Sequence, residues 1–469
     1  MNRPFSAPPR ISPLPRRPLE DWLDRLEGVP GAFCLESGLD VAGMGRWHFL
    51  GAFPLGECRG QQGGGGRSTL ALGGIGRTVS GPPLDAAESW YREWSEAPVV
   101  TATDLPPFLG GAVGVLGFEL GEGIDPYPGR GALPSAIARR FDSIPDLHLQ
   151  LHDELVAVER ASGESLLIRR GRSGERSREW WEEPPRGGRG DAPSPPIEVE
   201  VSLDDEAYLK GVEEVRAAIL RGDVYEVNLT RTHLIEGGPD PWCLHRRLRE
   251  RQPVPYGALL PWDPVGVVSA SPERFLRVEG RRVETRPIKG TIPRGRSPEE
   301  DARLGATLLA DEKERAELAM IVDLERNDLG KVARTGSVEV VEEAALESYA
   351  TVIHTVATVA GELRSGVGPF DLLRATFPGG SISGAPKLAA LETIARLEPW
   401  PRKAYTGALG WIAPDGDLDL AIAIRTTLHA GGRTLFSVGG AVTWDSVAAR
   451  ELAELEAKGR AIFAALRGA

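Results

Sequence analysis

The sequence predicts a fold that mixes helices with short strands, several of them joined by hairpin turns. Two patterns carry this prediction. Short runs of alternating apolar and polar residues, separated by turn residues such as Glu279-Gly280, indicate strands with one buried face. Longer runs with apolar residues at helical spacing, clearest in 204–221 and 447–466, indicate helices. The length of 469 residues suggests about two to four structural units.

The N-terminal part, from about residue 18 to 164, is predicted to contain short strands mixed with helix. Within it, we expect strands at 33–37, 47–51, 108–118 and 147–158. The composition then changes to glycine, arginine, serine, glutamate and proline, which is typical of a mobile linker loop. We therefore predict an N-terminal subdomain at 18–170, a linker at 171–196 and a second domain at 197–469.

The C-terminal part shows stronger periodicity. A helix, a strand, a hairpin and a long helix are expected in succession at 204–221, 225–234, 275–285 and 297–329. A shorter helix, a meander of three strands and a last helix are expected at 386–397, 404–412, 418–428, 434–442 and 447–466.

Composition and charge exclude several classes of function. The formal net charge of -12 argues against general binding to nucleic acid or anionic membranes. Cys34, Cys58 and Cys243 have neither metal-ligand nor disulfide-framework spacing, which is typical of a reducing compartment. Residues 1–17 lack the apolar run of a signal peptide. We expect a soluble cytoplasmic protein.

The glycine-rich segment 379–387 is not a nucleotide-binding P-loop. Such a loop ends in Gly-Lys-Ser/Thr, whereas Lys387 here follows Ala-Pro and precedes leucine. The segment instead leads into the helix expected at 386–397, whose N-terminus is suited to face an anion. ATP binding is therefore excluded.

Residues 287–291, Pro-Ile-Lys-Gly-Thr, put Lys289 at the end of a predicted strand and next to a glycine. A neutral lysine amine at pH 7 requires its pKa to fall by roughly 3 units, about 4 kcal/mol. Burial and nearby cations are expected to cause this decrease, which would make Lys289 a nucleophile. Glu273, at the start of the hairpin that leads to Lys289, is placed to be a general acid. The alternative for Lys289 is a structural salt bridge.

Two glutamates interrupt apolar helix faces. Glu317 shares a face with Ile321 and Leu324, and Glu454 lies at the border of the apolar stripe of the last helix, four residues before Lys458. A buried carboxylate needs a cation, and two of them on separate helices suit Mg²⁺. The alternatives are unrelated ion pairs, and a surface Glu-Lys pair contributes only about 0.3–0.5 kcal/mol.

Arg425 is predicted to share a strand face with small residues. Ala421, Ala423 and Thr427 alternate onto the same face and would leave a hollow in which a guanidinium grips a carboxylate. On the next strand, Gly439, Gly440 and Ala441 would offer backbone N–H groups. The pattern favours a ligand clamp over a core arginine.

Several ordered motifs resemble the chorismate-utilising enzymes, and in particular the aminodeoxychorismate synthase component I branch of that family. The resemblance is dense from Tyr225 to the C-terminus and weaker before it, at 35–37 and 110–111. The motifs that carry it lie at 225–229 (YEVNL), 271–275 (SPERF), 286–291 (RPIKGT), 323–330 (DLERNDLG) and 377–387 (FPGGSISGAPK). The resemblance implies one interwoven α+β fold, with two antiparallel β-sheets packed as a sandwich and flanking helices.

The resemblance also implies a set of site residues. Mg²⁺ would be held by Glu317 and Glu454, and Glu273 would protonate the departing C4 hydroxyl of chorismate. The residues expected to bind the other polar groups of chorismate are Gly290, Thr291, His354, Gly380, Tyr405, Arg425, Gly439, Gly440, Ala441 and Lys458. Ser37, Pro255 and Tyr256 resemble the tryptophan pocket of anthranilate synthases.

Position 289 distinguishes the branches of the family. Anthranilate synthases carry alanine there, whereas lysine implies that its amine adds at C2 of chorismate before ammonia enters at C4. The expected product is 4-amino-4-deoxychorismate, which leads to para-aminobenzoate and folate. Isochorismate and salicylate synthases carry lysine at the position of Glu226, where glutamine is common in members that use ammonia.

The ammonia is expected to come from another protein. The sequence contains no evident Cys/His arrangement for glutamine hydrolysis, so the resemblance implies a separate glutamine amidotransferase subunit, component II, as partner. Two alternatives stay open at this point. The chain could be an anthranilate synthase component I, or a catalytically silent paralogue that binds chorismate.

Overall fold

The computed structural model describes residues 5–41, 44–95, 105–127, 135–170, 178–184 and 194–468. Within these residues, two large antiparallel sheets of twelve strands each form the centre of the molecule. Helices cover their outer faces. The predicted α+β fold with two antiparallel sheets and flanking helices is confirmed.

The strands are short for the most part, and those before residue 240 are β1 (Arg10–Leu14), β2 (Phe33–Glu36), β3 (Trp47–Gly51), β4 (Gly56–Gln61), β5 (Arg67–Leu72), β6 (Ile75–Ser80), β7 (Gly111–Leu116), β8 (Leu147–His152), β9 (Glu154–Glu159), β10 (Ser165–Arg169), β11 (Glu198–Val201) and β12 (Glu226–Glu236). The strands that follow are β13 (Tyr256–Pro261), β14 (Gly266–Ser271), β15 (Arg274–Glu279), β16 (Arg282–Arg286), β17 (Ile288–Pro293), β18 (Glu339–Ser348), β19 (Val352–Glu362), β20 (Gly384–Ala385), β21 (Ala408–Ile412), β22 (Leu418–Ile422), β23 (Thr426–Ala430) and β24 (Arg433–Val442).

Each sheet takes strands from both ends of the chain. The first sheet has the order β1-β10-β9-β3-β2-β13-β14-β23-β24-β12-β11, with β20 added beside β12. The second has the order β17-β19-β16-β15-β22-β21-β7-β8-β4-β5-β6, with β18 added beside β19. The subdomain boundaries at 18–170 and 197–469 therefore stay a proposal about stretches of sequence, since both stretches supply strands to both sheets.

The inner faces of the two sheets share an apolar core. Phe33 and Leu155 from the first sheet join Val113, Leu409 and Trp411 from the second in one cluster of buried side chains. Burial of such side chains contributes about 1.5–3 kcal/mol each, so this interface is a main source of stability. A larger cluster lies under the helices.

The helices pack on the outside of the sheets, and they are α1 (Leu19–Leu26), α2 (Pro83–Trp94), α3 (Gly121–Ile124), α4 (Ser135–Phe141), α5 (Arg178–Glu182), α6 (Asp205–Arg221), α7 (Pro241–Arg251), α8 (Pro298–Ala310), α9 (Glu312–Gly330), α10 (Pro369–Thr376), α11 (Lys387–Leu397) and α12 (Ala448–Arg467). Helix α9 packs on β17 and β19, whereas α12 packs on β24. Among the described residues, no helix has the length and apolar character that crossing a membrane requires.

The single long helix predicted at 297–329 is wrong, because the segment forms two helices. Helix α8 ends at Ala310 and α9 begins at Glu312. Asp311 between them has extended backbone angles, and its side chain accepts hydrogen bonds from the N–H groups of Lys313 and Glu314. This is the N-cap arrangement that starts a new helix.

Two predicted strands are each split between the sheets. The segment 147–158 divides into β8, in the second sheet, and β9, in the first. The segment 418–428 likewise divides into β22 and β23, and Arg425 lies in the connection between them. Its φ of 50° is in the left-handed region, which turns the chain and ends the alternation of faces. The prediction that Arg425 shares a strand face with Ala421 and Ala423 is therefore wrong.

Part of the predicted linker is packed against the core. Within 171–196, helix α5 buries Trp181, whose ring lies 6.4 Å from that of Trp22, and the guanidinium of Arg25 lies over Trp180. These contacts contradict a mobile loop at 178–182. Residues 171–177 and 185–193 lie outside the described part of the chain.

Candidate active site

Lys289 and Glu226 join the two sheets at the centre of the candidate site. Lys289 is the second residue of β17, so it begins a strand rather than ending one. Its Nζ donates a hydrogen bond of 2.6 Å to Oε1 of Glu226, the first residue of β12. The lysine side chain is only 9% exposed, and Glu226 is fully buried. The Lys289 amine therefore lies inside the molecule, between the two sheets.

Carboxylates, and not the expected cations, surround the Lys289 amine. Burial lowers its pKa, but Glu226, Glu317 and Glu273 outweigh this effect and raise the pKa above the ordinary lysine value. The predicted decrease is wrong because the sequence does not reveal which charges fold against Lys289. In this arrangement the side chain is an ammonium at pH 7.

Glu273 has the environment of a general acid. It precedes β15 and is 4% exposed, and Oγ of Ser381 donates to its Oε1 at 2.6 Å. Burial raises the pKa of Glu273 to about 7, against the lowering effects of Ser381, the Ile288 N–H and Lys289. A carboxyl group with this pKa is partly protonated at neutral pH, which is what donation of a proton to a leaving group requires.

Glu317 and Glu454 lie on α9 and α12. Burial raises the pKa of Glu317 to about 7, and its nearest cation is Nζ of Lys313 at 3.6 Å. Glu454 is more exposed and forms the predicted pair with Lys458, at 2.8 Å. Lys458 and other cations lower its pKa.

Two further glutamates stand beside this pair. Glu314 precedes Glu317 by three residues and Glu451 precedes Glu454 by three, so each helix presents two carboxylates on one side. Burial raises the pKa of both Glu314 and Glu451, and the charge of Glu454 raises each further. The two helices therefore direct their carboxylates toward a common region.

The chemistry of these side chains fits Mg²⁺, a hard cation that prefers oxygen ligands. Glu314, Glu317 and Glu451 all have raised pKa values, the sign of carboxylates that are buried together without enough positive charge. Within the described residues, no three His, Cys, Asp or Glu side chains lie close enough together to hold a metal ion. The ligand chemistry is thus present, although the carboxylates are not gathered into a preformed cage.

Arg425 is a cation without a carboxylate partner among the ion pairs of the described residues. Desolvation lowers its pKa, and electrostatic interactions with Tyr349 and Glu273 oppose this decrease. Its left-handed backbone conformation costs about 1–3 kcal/mol for a non-glycine residue. Strain and a half-buried cation without a carboxylate partner together favour an anionic ligand at this position.

His354 and Thr291 are neighbours across β19 and β17. Thr291 is exposed, and its Oγ1 is 2.8 Å from Nδ1 of buried His354, while Nε2 of His354 has no hydrogen-bond partner. Burial lowers the pKa of His354 to about 3, so the ring is neutral. Gly290 between Lys289 and Thr291 has φ 73°, and a Cβ there would lie 2.5 Å from Oγ1 of Thr355. The backbone at this position therefore requires glycine.

Strand β24 supplies a wall of small residues. A Cβ on Gly439 would lie 2.6 Å from Oδ1 of Asn228, and Nζ of Lys458 donates to the Gly439 carbonyl at 3.2 Å. Gly440 is buried and Ala441 is half-buried on the same strand. Tyr405 is buried and burial raises its pKa, so its hydroxyl stays protonated.

Gly380 lies at the edge of the site, next to Ser381, which contacts Glu273. It begins the short 3₁₀ turn Gly380–Ile382, and its N–H donates to Oε1 of buried Glu325 at 3.2 Å. A Cβ on Gly380 would lie 2.6 Å from the Leu324 side chain, so a larger residue there would require Leu324 to move. The turn carries Ser381, which holds Glu273.

The predicted tryptophan pocket residues meet elsewhere, at the pairing of β2 with β13. Gly257 pairs with Glu36, which brings Ser37 beside Tyr256 and Pro255. The N–H of Ser37 donates to Nδ1 of His48 at 3.1 Å. The Tyr256 hydroxyl donates to Sδ of Met44 at 3.3 Å. The three residues are thus neighbours, and tryptophan binding there remains a proposal.

The sequence patterns missed three side chains and one contact that shape the site. Glu314 and Glu451 have a signal in the sequence, their three-residue spacing from Glu317 and Glu454. Ser381 and the contact of Glu226 with Lys289 have none, because each depends on elements far apart in sequence.

Known proteins resemble this chain in sequence and in fold. The profile of the chorismate binding enzyme family matches residues 80–464. The chain is 36% identical over 461 residues to anthranilate synthase component 1 of Thermus thermophilus, covering 96% of this chain and 95% of the relative. It is 33% identical to aminodeoxychorismate synthase component 1 of Bacillus subtilis, covering 91% of each chain.

This chain belongs to the chorismate binding enzyme family. A solved relative agrees in fold: anthranilate synthase component I from Streptococcus pneumoniae is 28% identical and superposes with a TM-score of 0.74, covering 89% of this chain and 92% of the relative. The protein is a chorismate-utilising enzyme of the anthranilate synthase and aminodeoxychorismate synthase component I type.

Proposed function

We propose that the protein is component I of an aminodeoxychorismate synthase, which converts chorismate and ammonia to 4-amino-4-deoxychorismate. The observation that carries the proposal is the buried amine of Lys289, bonded to Glu226 at 2.6 Å between the two sheets. A primary amine at this point of a chorismate pocket is a nucleophile in reach of the substrate ring. Without it, ammonia would be the nucleophile at C2.

Glu273 is proposed as the general acid of the same step. Its pKa of about 7 keeps a proton available, and the Ser381 hydroxyl holds the carboxyl group in place. As the amine adds at C2, the C4 oxygen leaves with its bonding electrons and takes the Glu273 proton to become water. Ammonia then adds at C4 and displaces the amine from C2, so the enolpyruvyl group is retained.

The remaining polar residues are proposed to hold the two carboxylates of chorismate. Glu317 and Glu454 would hold Mg²⁺, which when bound would neutralise and orient the ring carboxylate. Arg425 is suited to the other carboxylate because its guanidinium is half-buried and has no carboxylate partner among the ion pairs of the described residues. The residues that would complete the pocket are Gly290, Thr291, His354, Gly380, Tyr405, Gly439, Gly440, Ala441 and Lys458.

The proposed partner is a glutamine amidotransferase subunit that supplies ammonia. Both relatives named above are called component 1, which agrees with a multi-component enzyme. We propose that the product feeds para-aminobenzoate and folate synthesis in the cytoplasm. The three cysteines are free and buried, as a reducing compartment allows.

The test is a product assay on the purified chain with chorismate, Mg²⁺ and an ammonium salt. We expect 4-amino-4-deoxychorismate, identified by chromatography and mass spectrometry. Lys289→Ala should lower its rate of formation by on the order of 10⁴-fold or more, as loss of a nucleophile does. Lys331→Ala, which removes a half-exposed lysine paired with Asp328, is the matched control and should keep the rate.

A second candidate, anthranilate synthase component I, is favoured by the name of the Thermus thermophilus relative. The same assay separates the two, since anthranilate is fluorescent and forms with release of pyruvate. Anthranilate as the main product, with Lys289→Ala as active as the parent, would refute the aminodeoxychorismate proposal.

A further inference from the structure

Glu226 is buried in a way that a purely structural ion pair does not explain. Its Oε1 accepts from Lys289 at 2.6 Å, but its Oε2, also buried, has no hydrogen-bond partner. A buried carboxylate oxygen without a hydrogen bond is unfavourable, because the oxygen loses its contact with water and gains no partner in return. The arrangement resembles a site that is completed only when something else enters it, or that exchanges a proton with its partner.

The proposed reaction creates a need for a proton acceptor at this point. An ammonium has no lone pair, so Lys289 must lose a proton before or during bond formation to C2. The side chain is 9% exposed, so bulk water has little access to it. The acceptor must therefore be a neighbouring side chain.

The carboxylates around the amine come from several elements. Glu226 lies on β12, Glu273 precedes β15, and Glu314 and Glu317 lie on α9, with Glu454 on α12 also acting on the amine by its charge. Glu273 is assigned to the leaving hydroxyl and Glu317 to the cation. Among the carboxylates of the described residues, Glu226 is the one hydrogen-bonded to Nζ.

We propose that Glu226 is the proton acceptor that converts Lys289 from ammonium to nucleophilic amine. This inference rests on the proposed function. One Nζ–H bond breaks and the proton moves to a carboxylate oxygen of Glu226. The released lone pair forms the Nζ–C2 bond, the two ring double bonds shift, and the C4–O bond breaks with its electrons on oxygen. Oxygen takes the Glu273 proton and leaves as water.

The electrons and charges of this step balance within the site. Before it, Lys289 is positive, Glu226 negative and Glu273 neutral; after it, the alkylated nitrogen is positive, Glu226 neutral and Glu273 negative. When ammonia displaces the amine in the second half of the reaction, Glu226 returns the proton to Lys289, and the new C4 ammonium gives a proton to Glu273. No oxidant or further co-reactant is needed.

The decisive variant is Glu226→Gln, which keeps the size and a hydrogen-bond acceptor but cannot accept a proton at neutral pH. We expect kcat for aminodeoxychorismate formation to fall by about 10²–10⁴-fold at pH 7. The variant must then lose its lysine proton to solvent. The ratio of variant to parent kcat should therefore rise about tenfold per pH unit, because the neutral fraction of an amine does so below its pKa.

Two further variants keep the result interpretable. Glu226→Asp retains a carboxylate, so it should keep a pH-independent ratio at a lower rate, and it serves if Glu226→Gln does not fold. Glu284→Gln is the matched control, because Glu284 pairs with Arg274 at 2.7 Å in the sheet that contains Lys289 and does not contact Lys289. It should behave as the parent. Thermal unfolding and chorismate binding, followed by fluorescence, check that each variant is folded.

The ratio of Glu226→Gln kcat to parent kcat, measured against pH, either supports or overturns the inference. A Glu226→Gln ratio that is low and rises with pH supports the inference. A ratio near one, above one, or flat with pH overturns it, because Glu226 would then be dispensable or would merely hold Lys289 in its charged form. Failure of the proposed function is seen separately, in the parent protein, as anthranilate or no product.

Discussion

Two buried ion pairs meet strand β12 and differ in how completely they are hydrogen bonded. Arg402 donates to both carboxylate oxygens of Glu398, at 2.8 and 2.6 Å, and also to the carbonyls of Ile382 and Asn228. Glu398 in turn accepts from the N–H of Thr230 at 3.0 Å. Lys289 and Glu226 share a single hydrogen bond, and one oxygen of Glu226 is unbonded.

The difference distinguishes an ion pair that stabilises the fold from an ion pair in the proposed active site. The Arg402 pair fastens the loop after α11 to β12 and satisfies backbone groups that would otherwise be buried without partners. The Lys289 pair makes one hydrogen bond between the two sheets, and Oε2 of Glu226 has no hydrogen-bond partner. A buried charge alone therefore does not mark a catalytic site in this protein, and the unmet hydrogen bond of Glu226 agrees with its proposed role in proton transfer.

Among the variants that test this comparison, the largest effect is expected at Glu273, whose charge acts on Lys289. Glu273→Gln should lower kcat by about 10²–10⁴-fold, since the amide cannot protonate the leaving hydroxyl. A general acid acts in its protonated form, which is present below its pKa of about 7. The kcat of the parent should therefore decrease above pH 7, as Glu273 loses its proton. The kcat of Glu273→Gln should not show this decrease. Steady-state kinetics from pH 6 to 9 would test this, and an unchanged profile would assign the acid role elsewhere.

Removing both charges of each pair tests the comparison directly. Arg402→Met with Glu398→Leu should lower the free energy of unfolding by about 3 kcal/mol or more, because the Thr230 N–H and two carbonyls lose their partners. Lys289→Met with Glu226→Leu should stay within about 1 kcal/mol of the parent or be more stable, as replacement of a poorly bonded ion pair often is. Urea unfolding measures both. Equal decreases in the free energy of unfolding of the two double variants would contradict the proposed difference between the two ion pairs.

A smaller, pH-dependent effect is expected at Glu325, another buried carboxylate with an unbonded oxygen. Burial raises its pKa to about 7, with Asp328 adding to the increase. The folded state thus binds the proton more tightly than the unfolded state, so the group's cost is absent below the unfolded pKa of 4.5 and grows as pH rises toward 7. Glu325→Gln should be more stable than the parent by roughly 2–3 kcal/mol at pH 8 and equal to it near pH 4. A difference independent of pH would contradict the assignment.

The smallest effect is expected at Glu284, a half-buried carboxylate that pairs with buried Arg274 and does not contact Lys289. Glu284 is 21% exposed and bonds Arg274, which also lies 3.3 Å from Asp419. Glu284→Gln should change the unfolding free energy by less than about 1 kcal/mol and leave kcat unchanged. A loss comparable with that of the Arg402 variant would show that partial exposure does not weaken ion pairs in this sheet.

Helices and hairpins were largely predictable because their signals are local. The helix expected at 204–221 is α6, capped by Asp204, and the hairpin expected at 275–285 is β15 with β16. The breaks were not predictable from periodicity. Asp311 ends one helix and starts another, and Arg425 carries the chain from one sheet to the other through a left-handed conformation that arginine rarely adopts.

The sequence by itself determined the residue types of the site and, through its ordered motifs, the family to which they belong. Lysine at 289 and glutamates at 273, 317 and 454 are properties of the chain. The tertiary structure decided their protonation states, because pKa depends on burial and on charges that arrive from distant segments. Glu226 lies 63 residues before Lys289, and only the meeting of the two sheets reverses the predicted direction of the lysine pKa and gives that amine a carboxylate to receive its proton.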